Sequence, residues 1–276
     1  MDYYKGVIPI LDDSPDAVAM AHPGMGEAYG AVPRDYSVQP EAMMDGPEGL
    51  TTIDPSEWDA RYDEEEEQQS SLEHLYLRGG KPAFENLDQD GLPDCWAFST
   101  GHAMMLTRLR DHQPPVRFNP HGVAVMLNQL DGGWCGLSAQ LAREHGYPVE
   151  GNSPGQWPGR SRSRSHDTPE LRIEMAKHKS EEYWIDLTKK VYDQTLSTKA
   201  IATCLFQRNL VPLDSAAWGH SICGLRWVRI ERNVFRPLIL NSWKGWGRFG
   251  LAVLSGRFFD SLMGAVCLRT VTASRN

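Results

Sequence analysis

Three residue types, met along the chain in the order Cys, His, Asn, have the chemistry to split an acyl group. Cys95 stands in Gln89-Asp90-Gly91-Leu92-Pro93-Asp94-Cys95-Trp96-Ala97-Phe98-Ser99, where Pro93 and Asp94 suit the start of a helix. A thiol in a first helical turn is acidified, because the helix N-terminus favours the thiolate. Gln89, six residues upstream, carries a side-chain amide able to fold back beside the sulfur. His220 heads an apolar stretch in Trp218-Gly219-His220-Ser221-Ile222-Cys223-Gly224, and Asn241 opens the glycine-rich turn Asn241-Ser242-Trp243-Lys244-Gly245-Trp246-Gly247. Acyl transfer by a thiol needs one group that attacks, one that moves protons and one that fixes the tautomer of the proton mover. Singly, each residue is ordinary. A helical Cys is usually a small buried hydrophobe, a His at a strand head a structural group, and an Asn in a turn plain turn chemistry.

These residues need elements to hold them. An apolar face of Trp96, Ala97, Phe98, Ala103, Met104, Leu106 and Leu109 predicts a helix from Cys95 to about Arg110. A second helix is expected over 138–145, after the turn Asp131-Gly132-Gly133, and a third over 198–207. Residues 151–170 read as loop, with Arg160, Arg162 and Arg164 alternating with Ser. Beyond Asn209 the character changes: 210–213, 221–230, 237–241 and 251–254 are Val-, Ile- and Leu-rich and separated by turn residues. Helices first and strands afterwards predict an α+β fold of two packed lobes.

The chain has 276 residues, 41% hydrophobic and 23% charged, enough for a sizeable core. Its longest apolar runs, near 123–127, fall far short of the ~20 residues of a membrane helix. The N-terminus starts acidic and is broken by Pro9, Asp12 and Asp13, unlike a secretory signal. Five widely spaced cysteines without a CxxC pair suggest neither a disulfide framework nor a zinc site. The expected compartment is reducing: the cytoplasm, or a particle assembled inside a cell. Residues 1–70 carry a net charge of −14 and the remainder +6. Seven prolines, no Phe and the run Asp63-Glu64-Glu65-Glu66-Glu67 make residues 1–78 read as an extended or disordered acidic arm. Such an arm is either a solvated tail or a segment that folds onto a basic partner or its own domain. The Arg160–Arg164 loop is a candidate intramolecular partner for the acidic run. One short basic loop in an acidic chain speaks against nucleic-acid binding.

Taken together, the motifs resemble the papain family of cysteine peptidases (C1-type), over roughly residues 84–256. Gln89 matches the family's oxyanion-hole glutamine, the Cys-Trp-Ala-Phe-Ser run is the family's own, and Gly219-His220 matches its histidine motif. Asp131-Gly132-Gly133-Trp134 is similar to its glycine-rich substrate segment. Asn241-Ser242-Trp243, followed by Gly245-Trp246-Gly247, is similar to its last motif. The resemblance implies a papain-like two-lobe fold with a mainly helical lobe over 79–185 and a β-barrel-like lobe over 186–276. It implies a peptide-bond hydrolase without cofactor or metal, acting on polypeptides. Cys95 would be the nucleophile, His220 the proton carrier, Asn241 its orienter and Gln89 the oxyanion donor. Trp243 would shield the His–Asn bond, Gly132 and Gly133 would pair with the substrate strand, and Trp134, Cys135, Trp218 and Ser221 would line the pocket for the side chain before the scissile residue.

The departures bear on function. Leu92 and Leu130 occupy positions where secretory members of the family carry a disulfide, so an apolar contact is expected in its place. Asp94 directly precedes the nucleophile and would oppose thiolate formation if turned inward. Pro93 replaces a glycine, and the second lobe is trimmed. Two readings result. One is an active endopeptidase acting on its own arm or on proteins of its assembly. The other is a papain fold kept as a docking component of a larger particle, such as a virion, with the arm making the contacts.

Overall fold

A computed structural model describes residues 2–22, 30–32, 51–184 and 194–272. The chain opens with strands β1 (Tyr3–Tyr4) and β2 (Ile8–Leu11) and helix α1 (Pro15–Ala21), then forms helices α2 (Trp58–Gln68) and α3 (Leu72–Tyr76). Next come α4 (Cys95–Arg110), α5 (Pro120–Met126), α6 (Cys135–Glu144), α7 (Pro169–Met175), strand β3 (Ser180–Trp184) and α8 (Gln194–Phe206). The rest is β4 (Val211–Ser215), β5 (His220–Glu231), β6 (Val234–Leu240), β7 (Leu251–Leu254), α9 (Gly256–Asp260) and β8 (Leu262–Val271).

Helix α4 is the axle. Every residue from Cys95 to Arg108 is buried, because the helix is enclosed by α3, α5 and α6 on one side and by β4, β5 and β8 on the other. The strands form one eight-stranded sheet among the described residues, in the order β1-β2-β7-β6-β5-β4-β8-β3. Its pairings are antiparallel except β2 with β7. This is the expected α+β architecture, with helices in the first half and most strands in the second. None of the five cysteines, all buried, is in a disulfide. Among the described residues no helix is long and apolar enough to cross a membrane.

The N-terminal region differs from the extended arm expected for 1–78. β2 adds to the sheet edge, with Ile10 opposite Val253 and Leu11 opposite Leu254. Helices α2 and α3 dock on β5 through charge. Arg226, buried in β5, pairs with Glu65 at 2.9 Å, Glu66 at 2.6 Å and Glu73 at 2.8 Å. Arg229 pairs with Asp59 and Asp63, each at 2.7 Å. Trp58 closes the seam with edge-on contacts to Trp227 and Phe235. So the acidic run meets Arg226 and Arg229 rather than the Arg160–Arg164 loop. Composition counts charges but not their partners, and these partners lie some 160 residues away. Residues 23–29 and 33–50 of the expected arm lie outside the described residues.

Candidate active site

Antiparallel pairing decides where His220 and Asn241 meet. β5 begins at His220, β6 ends at Leu240, and Cys223 lies opposite Leu240, so the head of one strand sits beside the tail of the next. His220 Nε2 donates to Asn241 Oδ1 at 2.7 Å, with both residues fully buried. The Ser242 N–H donates to the same oxygen at 2.7 Å, which orients the amide and thereby assigns the ring proton to Nε2. His220 Nδ1 is left as a lone pair with no hydrogen-bond partner among the described residues. The centroid of the Trp243 ring lies 4.4 Å from that of the imidazole and that of Trp218 4.9 Å, and both rings are buried. Burial pushes the imidazole pKa down to about 4, against the pull of Asn241.

Cys95 is the first residue of α4 and is itself buried. Its sulfur meets the backbone N–H and the hydroxyl of Ser221, the residue after His220, and the backbone N–H of Gly30. Burial pushes the thiol up to about 12; the N–H groups draw it down and the Asp214 carboxylate pushes it further up. Gln89 stitches the loop before α4 to the loop after β6. Its N–H donates to the Ser242 carbonyl at 2.9 Å, Nε2 to the Leu92 carbonyl at 2.8 Å, and Oε1 accepts from the Ser242 hydroxyl at 2.7 Å. Asn86 adds a bond of 2.6 Å to the Asn241 carbonyl.

Asp94 is fully buried, and its carboxylate faces Arg162 and His121. Arg162 Nη2 reaches Asp94 Oδ1 at 2.6 Å and His121 Nδ1 reaches Oδ2 at 2.8 Å. The same guanidinium donates through Nη1 to the Leu130 carbonyl at 3.2 Å. The expected apolar contact of Leu92 with Leu130 is not what ties these segments: Leu130 is exposed and neither leucine belongs to the core. An arginine from the 151–170 loop makes the link instead.

Gly132 and Gly133 are glycines for reasons of space and backbone. Gly132 has φ +130°, and a Cβ on Gly133 would sit 2.7 Å from the Trp96 ring. Along this strip lies residue 31 of the chain itself. Gly133 N–H donates to the Gly30 carbonyl at 2.8 Å, Val32 N–H to the Gly133 carbonyl at 3.0 Å, and Ala31 N–H to the Gly219 carbonyl at 3.1 Å. A side chain on Gly30 would overlap the Pro93 carbonyl. Trp218 does not stand alone at the groove; its indole N–H holds the Ala21 carbonyl at 2.7 Å, and Trp246 holds Met20 at 3.0 Å. These two rings pin α1 beside the site. Trp134 is half-buried as the residue before α6, and Cys135 and Ser221 lie beneath the groove, bonded to Asp214.

No protein-family model and no curated protein sequence matches the chain. Solved structures do. Xylellain, a cysteine protease from Xylella fastidiosa, is similar at TM-score 0.56 and 13% identity, over 89% of this chain and 97% of that one. The papain-like cysteine peptidase fold is the fold of this chain. Two further structures carry the same likeness. Digestive procathepsin L 3 of the Tenebrio molitor larval midgut aligns at TM-score 0.52 and 14% identity, over 90% of this chain and 77% of that one. ProCathepsin B S9 from Trypanosoma congolense aligns at TM-score 0.51 and 12% identity, over 96% and 94%.

Within this papain-like fold the sequence reading passed over several residues at the site. Arg162 was visible only as part of a basic loop. Asp214 carried a signal that went unused, a lone carboxylate inside the buried strand Val211-Pro212-Leu213-Asp214-Ser215. Gly30 to Val32 carried none, since what sets them apart is their backbone bonding to Gly133 and Gly219.

Proposed function

We propose that this protein is a cysteine endopeptidase that hydrolyses peptide bonds through Cys95, His220, Asn241 and Gln89. The observation that carries the reading is the buried His220–Asn241 bond of 2.7 Å, which leaves Nδ1 bare on a ring one residue from the thiol's partner Ser221. In the forward reaction Nδ1 takes the Cys95 proton and the sulfur attacks the scissile carbonyl carbon. The carbonyl oxygen becomes an oxyanion, stabilised by the Cys95 N–H and the Gln89 side-chain amide. His220 then returns the proton to the leaving amine, and water hydrolyses the thioester.

Residues 30–32 bear on regulation. The Gly30 N–H partners the Cys95 sulfur while the Gly30 carbonyl accepts from Gly133, so this part of the chain is held beside the thiol by its own hydrogen bonds. With the thiol neutral and the imidazole neutral, the described arrangement is a closed form. Self-processing would act on chain presented differently from residues 30–32, or on proteins of an assembly. The filled groove also favours a second reading, a papain-fold docking component that stays closed.

Labelling separates the two. A thiol-reactive epoxide, followed by intact mass, is expected to add once to the wild-type protein and not to Cys95→Ala. Gly30→Ala, whose side chain overlaps Pro93, is expected to label about tenfold faster, as a shift of ~1.4 kcal/mol toward the open groove would give. A folded protein in which neither wild type nor Gly30→Ala reacts is the docking component.

A further inference from the structure

Asp214 is a buried carboxylate that the proposed reaction does not use. It accepts the Cys135 N–H on both oxygens, at 3.1 and 3.3 Å, and the Ser221 hydroxyl on Oδ1. Among the described residues no lysine, arginine or histidine pairs with it. A carboxylate taken out of water without a cation is costly, and one shared backbone N–H and one hydroxyl offset only part of that cost.

Its position makes the missing cation informative. The chain at residue 31 is bonded to two strips, Gly133 on one side and Gly219 on the other. Cys135 lies two residues beyond Gly133 and Ser221 two beyond Gly219, and Asp214 is bonded to both. Asp214 therefore spans the floor between the strips, under any extended peptide that takes the place of residues 30–32. From β8, Gly264 faces the carboxylate without a side chain; a Cβ there would lie 2.6 Å from Oδ2. From α4, Cys95 is near enough for the carboxylate to raise its pKa. The half-buried Trp134 supplies an apolar wall along which a long aliphatic stem with a charged tip can lie.

We propose that Asp214 sets the specificity of the groove, selecting peptides with a lysine or arginine side chain immediately before the scissile residue. This rests on the peptidase reading above. The substrate ammonium or guanidinium supplies a counter-charge that none of the described residues provides, and a leucine in its place supplies none.

The test uses the full chain and two N-blocked dipeptidyl chloromethyl ketones, Lys-Gly and Leu-Gly, scored by intact mass. In both, the Cys95 sulfur bonds to the methylene carbon and chloride leaves, so displacement of residues 30–32 and the titration of Cys95 and His220 enter the two rates alike. Near neutral pH the Lys label is expected to react at least about tenfold faster. The ratio should fall toward one in Asp214→Asn. It should also fall as pH drops, because burial raises the Asp214 pKa and the carboxylate takes up its proton above the ordinary range. Equal rates, or a faster Leu label, overturn the proposal and leave the peptidase reading standing. If neither peptide labels while iodoacetamide alkylates Cys95, the peptidase reading falls and the proposal with it. Should Asp214→Asn fail to fold, the wild-type ratio and its pH dependence decide alone.

Discussion

A buried imidazole can act as a strut as readily as a proton carrier, and the histidines of this protein divide on that line. His102, in the middle of α4, accepts the Leu87 N–H at 3.2 Å on Nε2, and burial pushes its pKa down to about 3. His220 is depressed to about 4 by the same cause, but its Nδ1 looks out from the Asn241 bond. For a depressed base the unfolded chain binds the proton first. Each histidine therefore withdraws stability as pH falls below 6.5, by about 1.4 kcal/mol per pH unit, until its folded pKa is reached. Asp214 and Glu65, whose carboxyls burial pushes up, act in the opposite sense. Urea unfolding of wild type and His102→Gln between pH 4 and 6.5 isolates the strut. The wild type should lose stability more steeply by that slope, and parallel curves would show His102 titrating freely. At this scale the sequence was most readable. Gln89, Cys95, His220 and Asn241 sit in local motifs whose meaning does not depend on distant register, whereas Asp214 acquires its meaning only when Leu213 pairs with Ile222 and Asp214 with Ser221.

Elements explain why the tie across the site is ionic. The loop before α4 leads into Cys95 and the loop before α6 carries the Gly132–Gly133 strip, and the proposed reaction needs the two side by side. Arg162 links these loops by bonding Asp94 and the Leu130 carbonyl together. Asp94 is fully buried, so removing Arg162 leaves its charge with His121 alone. Arg162→Met is expected to cost about 3 kcal/mol in urea unfolding. Asp94→Asn in the same background should recover part of that, giving a coupling above about 1 kcal/mol. Additive losses would mean the guanidinium only sits nearby. The helix over Cys95 to Arg110 and the strands of the second half were legible from periodicity. α2 was not, because a helix reading Trp58-Asp59-Ala60-Arg61-Tyr62-Asp63-Glu64-Glu65-Glu66-Glu67-Gln68 has no apolar stripe and is held by Arg226 and Arg229 instead.

At the scale of the whole molecule, the first residues belong to the core. Tyr4, Ile8, Ile10, Leu11, Ala17 and Ala21 are buried, and α1 is clasped by Trp218 and Trp246. With the larger side chains worth roughly 1.5–3 kcal/mol apiece, their sum approaches the whole stability of a typical domain. A protein lacking residues 2–22 should lose its cooperative thermal transition in circular dichroism or precipitate. An unchanged melting temperature would show the segment to be dispensable.

The parallel pairing of β2 with β7 has a bearing on how the chain comes together. Ile10 and Leu11 are made more than 240 residues before their partners Val253 and Leu254. Until then β7's place in the sheet does not exist, and the first strand waits with its apolar face unpaired. Pairings so remote in sequence close slowly, and a waiting strand can be taken up by the β7 of a neighbouring chain as readily as by its own. Refolding at high concentration would therefore yield strand-exchanged dimers joined at this one edge.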